Sequence, residues 1–124
     1  MNGNAVIFSD EEMRMLDPGG GPFWTPTLDQ VEALESLLPD YLRLHPPRDD
    51  RPIERVFDYG RQYYGVTRNG QSVIYVNAFC HPEGFAPQWK KDIIVVKDGG
   101  SCYFQGYFDP LKKQFVGLRY NGQA

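Results

Sequence analysis

The chain has 124 residues, 41% of them hydrophobic and 23% charged, so it is long enough to fold as one domain around its own core. This composition excludes wholesale disorder. The formal net charge is −3, which argues against nucleic-acid binding because that function normally comes with a basic patch.

The first 24 residues are predicted to form an N-terminal arm. Ser9 and Glu12 have the spacing of a capping box that begins a short helix. The proline- and glycine-rich stretch 17–22 ends it. The apolar run Ala5–Phe8 is too short for a signal-peptide core or a membrane helix. We therefore expect a cytoplasmic protein that does not bind membranes.

A main helix is predicted over residues 25–44. Apolar residues recur at spacings of three and four from Leu28 to Leu42, which gives the helix one apolar side. Thr27 and Gln30 form a second capping-box pattern at its start. Pro39 is expected to kink or restart the helix, because it lacks a backbone N–H and clashes with the preceding turn.

From residue 53 onward the apolar residues alternate, which predicts strands. The segments expected to be strands are 54–67, 72–79, 91–97, 101–109 and 114–121. Asn69-Gly70 is the strongest two-residue hairpin turn in the chain, and Asp98-Gly99-Gly100 predicts a second hairpin. Short turns between successive strands indicate neighbours in one antiparallel sheet.

These elements predict an α+β fold. We expect a single domain, residues 1–124, with an arm (1–24), a main helix (25–44) and a five-stranded antiparallel meander sheet (53–121). One helix followed by such a meander resembles the cystatin-like class, although the chain carries no Gln-x-Val-x-Gly inhibitory loop. The motif Trp24-Thr25-Pro26-Thr27 and the closing Asn-Gly-Gln-Ala are also similar to small uncharacterised bacterial proteins. Neither resemblance implies a catalytic residue.

Strand alternation assigns the side chains to two faces. One face is apolar, with Ile74, Val76, Phe104 and Phe108, and is expected to meet the helix. The other combines tyrosines with polar groups, a composition typical of binding surfaces. The connection 81–89 is the longest inside the predicted sheet and adds two aromatic rings, which either bind a partner or fold back onto the core. The expected partner-binding residues are Tyr63, Tyr75, Asn77, Phe85, Trp89, Tyr103, Gln105, Tyr107 and Arg119.

Residues suited to catalysis or metal binding are sparse. Cys80, His81 and Glu83 lie close together in sequence, but no second cluster completes a four-ligand zinc site. Cys80 and Cys102 fall on the same predicted face. In a reducing cytoplasm we expect two buried thiols, whereas a disulfide would need a suitable Cα separation. We expect no catalytic residue, no metal and no cofactor.

The sequence favours a non-enzymatic protein-binding module, of immunity or inhibitor type, that contacts a protein partner or a second copy of itself. The alternative is a small-molecule-binding or enzymatic domain with a pocket between helix and sheet. Asn77, His81, Glu83 and Arg119 are the residues expected to act in that pocket. A third hypothesis is a purely structural homo-oligomer.

Overall fold

The computed structural model describes residues 1–48 and 53–122 and has an α+β fold. Among these residues two α-helices accompany a six-stranded mixed sheet. The helices are α1 (Asp10–Leu16) and α2 (Leu28–Leu44). The strands are β1 (Ala5–Ile7), β2 (Phe23–Trp24), β3 (Gly60–Arg68), β4 (Gln71–Phe79), β5 (Tyr103–Asp109) and β6 (Gln114–Tyr120).

The sheet runs in the order β1-β3-β4-β5-β6, and β2 pairs with the other end of β3. Strands β3 to β6 form an antiparallel meander, whereas β1 lies parallel to β3. The expectation of five antiparallel strands was therefore wrong in part. The segment predicted as an arm supplies two strands, because its short apolar runs complete the free edge of β3 with backbone hydrogen bonds.

The β3–β4 hairpin sets the register of the meander. Asn69 and Gly70 have φ angles of 51° and 78°, as a tight two-residue hairpin turn requires. The turn pairs Arg68 with Gln71, and the ladder that follows pairs Tyr64 with Tyr75. Tyr63 instead pairs with Val76 and belongs to the face that α2 covers. The prediction that Tyr63 lies on the face opposite the helix was wrong. The alternation along β3 is shifted by one residue from the expected one, so Tyr64 takes that position.

The core lies between α2 and one face of the sheet, which we call the inner face. Both predicted capping boxes are present, at Ser9 with Glu12 and at Thr27 with Gln30. Helix α2 continues through Pro39 without restarting, so the packing of its apolar side outweighs the backbone bond that proline removes. The buried residues of the core come from both layers: Val31, Leu34, Leu38, Leu42, Val56, Tyr63, Ile74, Val76, Ala78, Phe104 and Phe108.

Residues 91–97 are not a strand of the sheet. The segment 89–98, which we call the strap, instead crosses the opposite face, the outer face. Polar side chains on that face bond its backbone, which replaces the ladder that a strand would have made. The predicted hairpin at Asp98-Gly99-Gly100 is accordingly a turn that leads from the strap into β5.

Candidate functional site

Three tyrosines form a row across the outer face, which we call the tyrosine row: Tyr64, Tyr75 and Tyr107. They come from β3, β4 and β5, where the register places them side by side. The ring centroids are 4.8 Å apart between Tyr64 and Tyr75, and 5.2 Å apart between Tyr75 and Tyr107. All three rings are half-buried. Such cross-strand aromatic contacts hold the rings in place, so the row presents a rigid surface.

Two guanidinium groups lie along this row. The Arg68 guanidinium stacks on the ring of Tyr107, with its carbon 3.9 Å from the ring centroid. The exposed Arg119 donates from Nη2 to Gln105 Oε1 at 3.3 Å. Both arginines line a shallow depression of about 380 Å³ next to Tyr75 and Tyr107. The site therefore combines aromatic surface with positive charge.

One of the residues that line the depression is a glycine. Gly117 of β6 pairs with Tyr107 at a register shift between β5 and β6. A Cβ at this position would lie 4.0 Å from Tyr107 Cδ2, which is ordinary van der Waals contact. The missing side chain leaves the side of the Tyr107 ring open.

The phenols of Tyr64 and Tyr75 stay protonated well beyond neutral pH. Burial raises the pKa of Tyr75 to about 12, and the neighbouring Tyr107 adds to that effect. Burial also raises the pKa of Tyr64, with contributions from Tyr75, Tyr107 and the negative charge of Asp17. The row consequently offers O–H groups that can donate to an acceptor on a partner.

The strap covers the other end of the outer face through three amide side chains. Gln62 Nε2 donates to the carbonyls of Trp89 and Asp92, and its Oε1 accepts from the N–H of Ile94 at 3.0 Å. Asn77 Nδ2 donates to Ile94 O at 2.7 Å and to Gln62 Oε1 at 2.9 Å. Asn121 Nδ2 donates to the carbonyls of Val96 and Asp98 at 2.6 and 3.0 Å. The strap thus leaves the tyrosine row as the open part of the face.

Three of the expected partner-binding residues are buried. Tyr63 is fully buried beneath α2, Asn77 lies under the strap, and Trp89 is only 4% exposed. The Trp89 ring packs edge-on against Phe79 at 5.6 Å, so this part of the 81–89 connection folds back onto the protein. None of the three can contact a partner in this structure.

The other expected residues remain accessible in varying degree. Tyr75, Gln105 and Tyr107 are half-buried on the outer face beside the exposed Arg119. Two further rings, Phe85 and Tyr103, are half-buried 6.4 Å apart beyond the strap and do not adjoin the tyrosine row. The structure therefore brings four of the nine expected residues together: Tyr75, Gln105, Tyr107 and Arg119.

Sequence reasoning missed two members of the site, Tyr64 and Arg68. The signal for Tyr64 was present, because a two-residue turn at Asn69-Gly70 pairs Arg68 with Gln71 and hence Tyr64 with Tyr75. Arg68 was missed for another reason. Its contact with Tyr107 runs diagonally past β4, and alternation along a single strand carries no information on such contacts.

A buried polar cluster on the inner face was also missed. The side chain of Arg61 is fully buried, and its Nη2 lies 3.0 Å from Glu35 Oε2 on α2. Tyr63 donates its O–H to the same carboxylate oxygen at 2.7 Å. Arg61 also donates to Asn2 Oδ1 and to the carbonyls of Phe57 and Tyr59. The cluster ties the N-terminus, β3 and α2 together, and its groups are occupied with one another.

The residues expected to line a pocket between helix and sheet do not meet there. Asn77 and Arg119 both lie on the outer face, on either side of Gln105. His81 and Glu83 are exposed after the end of β4. The space between α2 and the sheet holds the core side chains and the Arg61 cluster instead.

The two cysteines form a disulfide between Cys80 and Cys102, with a Cα–Cα distance of 4.9 Å. The expectation of two buried thiols was therefore wrong, and both residues are only half-buried. The backbone N–H of Cys80 donates to Cys102 O at 2.9 Å, so the end of the β4–β5 ladder brings the two side chains together. This separation is within the range that a disulfide spans.

No family model, curated protein or solved structure matches this chain. Within residues 1–48 and 53–122, no helix has both the length and the apolar character needed to cross a bilayer. The arrangement of the described side chains is thus the basis for assigning a function.

Proposed function

We propose that this protein is a non-enzymatic protein-binding module whose partner presents an acidic surface to the tyrosine row. The observation that carries the proposal is the row itself, three rings in tilted contact that are left open beside Arg68 and Arg119. Tyrosine and arginine are, with tryptophan, the residues that are enriched in binding hot spots. The partner-binding set is therefore Tyr64, Arg68, Tyr75, Gln105, Tyr107 and Arg119.

Charge supports an acidic partner. The two guanidinium groups line the depression, whereas the whole chain carries a formal charge of −3. A carboxylate entering beside Gly117 would meet Arg119 and the phenol of Tyr107, and both groups can donate hydrogen bonds to it. Rigid rings lose little conformational entropy on binding, which favours affinity from a small surface.

We include in this proposal that the module acts as an immunity or inhibitor protein. It draws on the resemblance to the cystatin-like class, which covers the helix α2 and the antiparallel meander β3–β6. The parallel strand β1 departs from that pattern. An inhibitor of this kind would act by covering an acidic region of its target rather than by chemistry of its own.

A photo-crosslinking experiment tests the proposal. A benzophenone amino acid replaces Tyr75 in one protein and Leu111 in another, and both are irradiated in extract of the source cells. Leu111 is 91% exposed in the β5–β6 turn and serves as the position outside the site. We expect a protein other than this chain to be captured from position 75 and not from position 111.

Matched variants then separate the site from the scaffold. Gly117→Val adds a side chain to the lining of the depression, beside the Tyr107 ring, without backbone strain, and Gly3→Val adds the same side chain where nothing lies within 4 Å. We expect Gly117→Val to reduce capture at position 75 at least tenfold and Gly3→Val to leave it unchanged. Arg68→Glu should act like Gly117→Val. The control Lys91→Glu, at an exposed position of the strap, should not reduce capture.

Three outcomes would contradict the proposal. Equal capture from positions 75 and 111 would show that the row is not selective. Capture of a second copy of this chain alone would make the row a self-association surface. A captured protein that binds Arg68→Glu as well as the original would exclude an acidic contact at this site.

A further inference from the structure

Three metal-ligating side chains come together where β4 ends: Cys80, His81 and Cys102. The two sulfurs and a ring nitrogen of His81 all lie within 4.8 Å of one another. The cysteines are half-buried, and the side chain of His81 is 76% exposed. Cys102, the residue before β5, thus adds a third ligand to Cys80 and His81, because the pairing of β4 with β5 places it beside Cys80.

We propose that this cluster is a redox-controlled zinc site. In the oxidised protein the two sulfurs are joined and neither is a ligand. When the disulfide is reduced, the thiolates of Cys80 and Cys102 and the imidazole of His81 bind one Zn²⁺. This inference does not depend on the proposed function of the tyrosine row.

The cluster reaches a zinc-binding geometry when the two bonded sulfurs separate and the imidazole moves closer. Zn–S bonds of about 2.3 Å and Zn–N bonds of about 2.0–2.1 Å place tetrahedral ligand atoms roughly 3.5–3.8 Å apart. Reduction breaks the bond between the two sulfurs, which then have to move apart to about 3.8 Å. The present limit of 4.8 Å means that the imidazole has to approach by at most about 1 Å, and the exposed side chain of His81 has room to rotate. Two thiolates with an imidazole select Zn²⁺ over hard cations such as Mg²⁺.

Glu83 provides the support that zinc-bound histidines commonly have. Its Oε1 lies 3.4 Å from His81 Nδ1. An N–H at Nδ1 directed at this carboxylate leaves Nε2 to bind the metal, and the negative charge makes the imidazole a stronger ligand. Three protein ligands leave a fourth position for solvent, so the bound zinc would be exchangeable.

The chemistry balances with a dithiol as the reductant. The dithiol gives two electrons and two protons to the Cys80–Cys102 bond, which becomes two thiols while the dithiol closes to a cyclic disulfide. Zinc then displaces one proton from each thiol, and two protons are released per metal bound. Zinc binding should consequently weaken as the pH falls.

Metal titration of the whole chain tests the proposal. The protein is reduced with a dithiol, which is then removed under anaerobic conditions, and Zn²⁺ is added against a chromophoric chelator. We expect one Zn²⁺ per reduced chain and none per oxidised chain. The number of thiols that react quickly with a disulfide reagent should fall from two to none as zinc binds. Co²⁺ in place of Zn²⁺ should give a sulfur-to-metal charge-transfer band.

The chain offers a matched control in its two histidines, His45 and His81. His81→Ala should weaken zinc binding at least tenfold, and His45→Ala should not change it. Glu83→Gln should weaken zinc binding by roughly tenfold, the lower end of the loss that follows when the partner of a metal-bound histidine is removed. If reduction unfolds the chain, Zn²⁺ should restore the folded circular dichroism spectrum of the original protein but not of His81→Ala. Equal zinc affinity in the oxidised and reduced forms, equal affinity of the two histidine variants, or no binding at all would overturn the proposal.

Discussion

Strand β3 buries polar side chains on both of its faces, but a different part of the chain covers each face. Arg61 and Tyr63 point to the inner face, where α2 and the N-terminus bond them. Gln62 points to the outer face and is equally buried, because the strap supplies backbone partners. Tyr64, two residues further on, lies beyond the strap and is only half-buried.

Whether a polar side chain of β3 is open to a partner therefore depends on whether another part of the chain covers it, and not on its residue type. A buried polar group is tolerated only when a partner satisfies it. On the inner face and under the strap, the partners belong to the chain itself. In the tyrosine row, the rings contact one another and Arg68, while their O–H groups remain suited to an external acceptor.

Removing the carboxylate of the inner face should have the largest effect on stability. Glu35→Leu leaves the guanidinium of Arg61 and the phenol of Tyr63 buried without their shared acceptor. Breaking a buried ion pair on one side typically costs about 3–5 kcal/mol. We expect a loss of unfolding free energy of that order in urea denaturation.

Glu32→Leu is the matched control, because Glu32 is exposed on the same helix. It should change the unfolding free energy by less than about 0.5 kcal/mol. Equal effects of the two substitutions would mean that the cluster does not stabilise the inner face.

Removing the hydrogen bonds that hold the strap should have the next largest effect on the unfolding free energy. The change in structure should be confined to the outer face. Gln62→Leu removes the acceptor for the Ile94 N–H and the donor to the Trp89 and Asp92 carbonyls. Each buried polar group left without a partner costs about 1–3 kcal/mol, and the cost is smaller where water can replace the partner. For the groups that Gln62 bonds together, we expect a loss of unfolding free energy of about 2–4 kcal/mol. Amide hydrogen exchange at Ile94 should speed up more than at the core strands.

Gln114→Leu, at an exposed position of β6, controls for the change of side chain. It should leave exchange at Ile94 unchanged. If Gln62→Leu loses stability while Ile94 stays as protected as before, the strap is held by contacts other than these amides.

The sequence predicts much of the scaffold from local signals. Both capping boxes, the Asn69-Gly70 turn and the apolar stripe of α2 depend on residues that lie close together in the chain, and all are present. The inner positions Phe104 and Phe108 are buried as alternation predicts. Such features follow from steric and hydrogen-bonding preferences that need no tertiary context.

The strap and the Arg61 cluster could not be predicted in the same way. Ile93-Ile94-Val95-Val96 has the composition of a strand, yet its backbone groups bond side chains of β3, of β4 and of the residue after β6: Gln62, Asn77 and Asn121. Arg61 meets Glu35 across 26 positions of the chain. These partners are set by the register and by the helix position, which local patterns do not contain.

The smallest expected effect concerns the open end of the outer face and its response to alkaline pH. The folded state raises the pKa of Tyr75 from 10.0 to about 12, so it favours the neutral phenol more than the unfolded chain does. That stabilisation is fully present below pH 10 and is lost as the pH rises through about 12. Tyr75→Phe removes the phenol and with it this part of the pH dependence. Between pH 9 and 12 we expect the original protein to lose on the order of 1 kcal/mol more unfolding free energy than the variant, because solvent screens the half-buried ring. Parallel stability curves for the two proteins would mean that the row is as solvated as an ordinary surface, and that the contrast between the covered and open ends lies in hydrogen bonding alone.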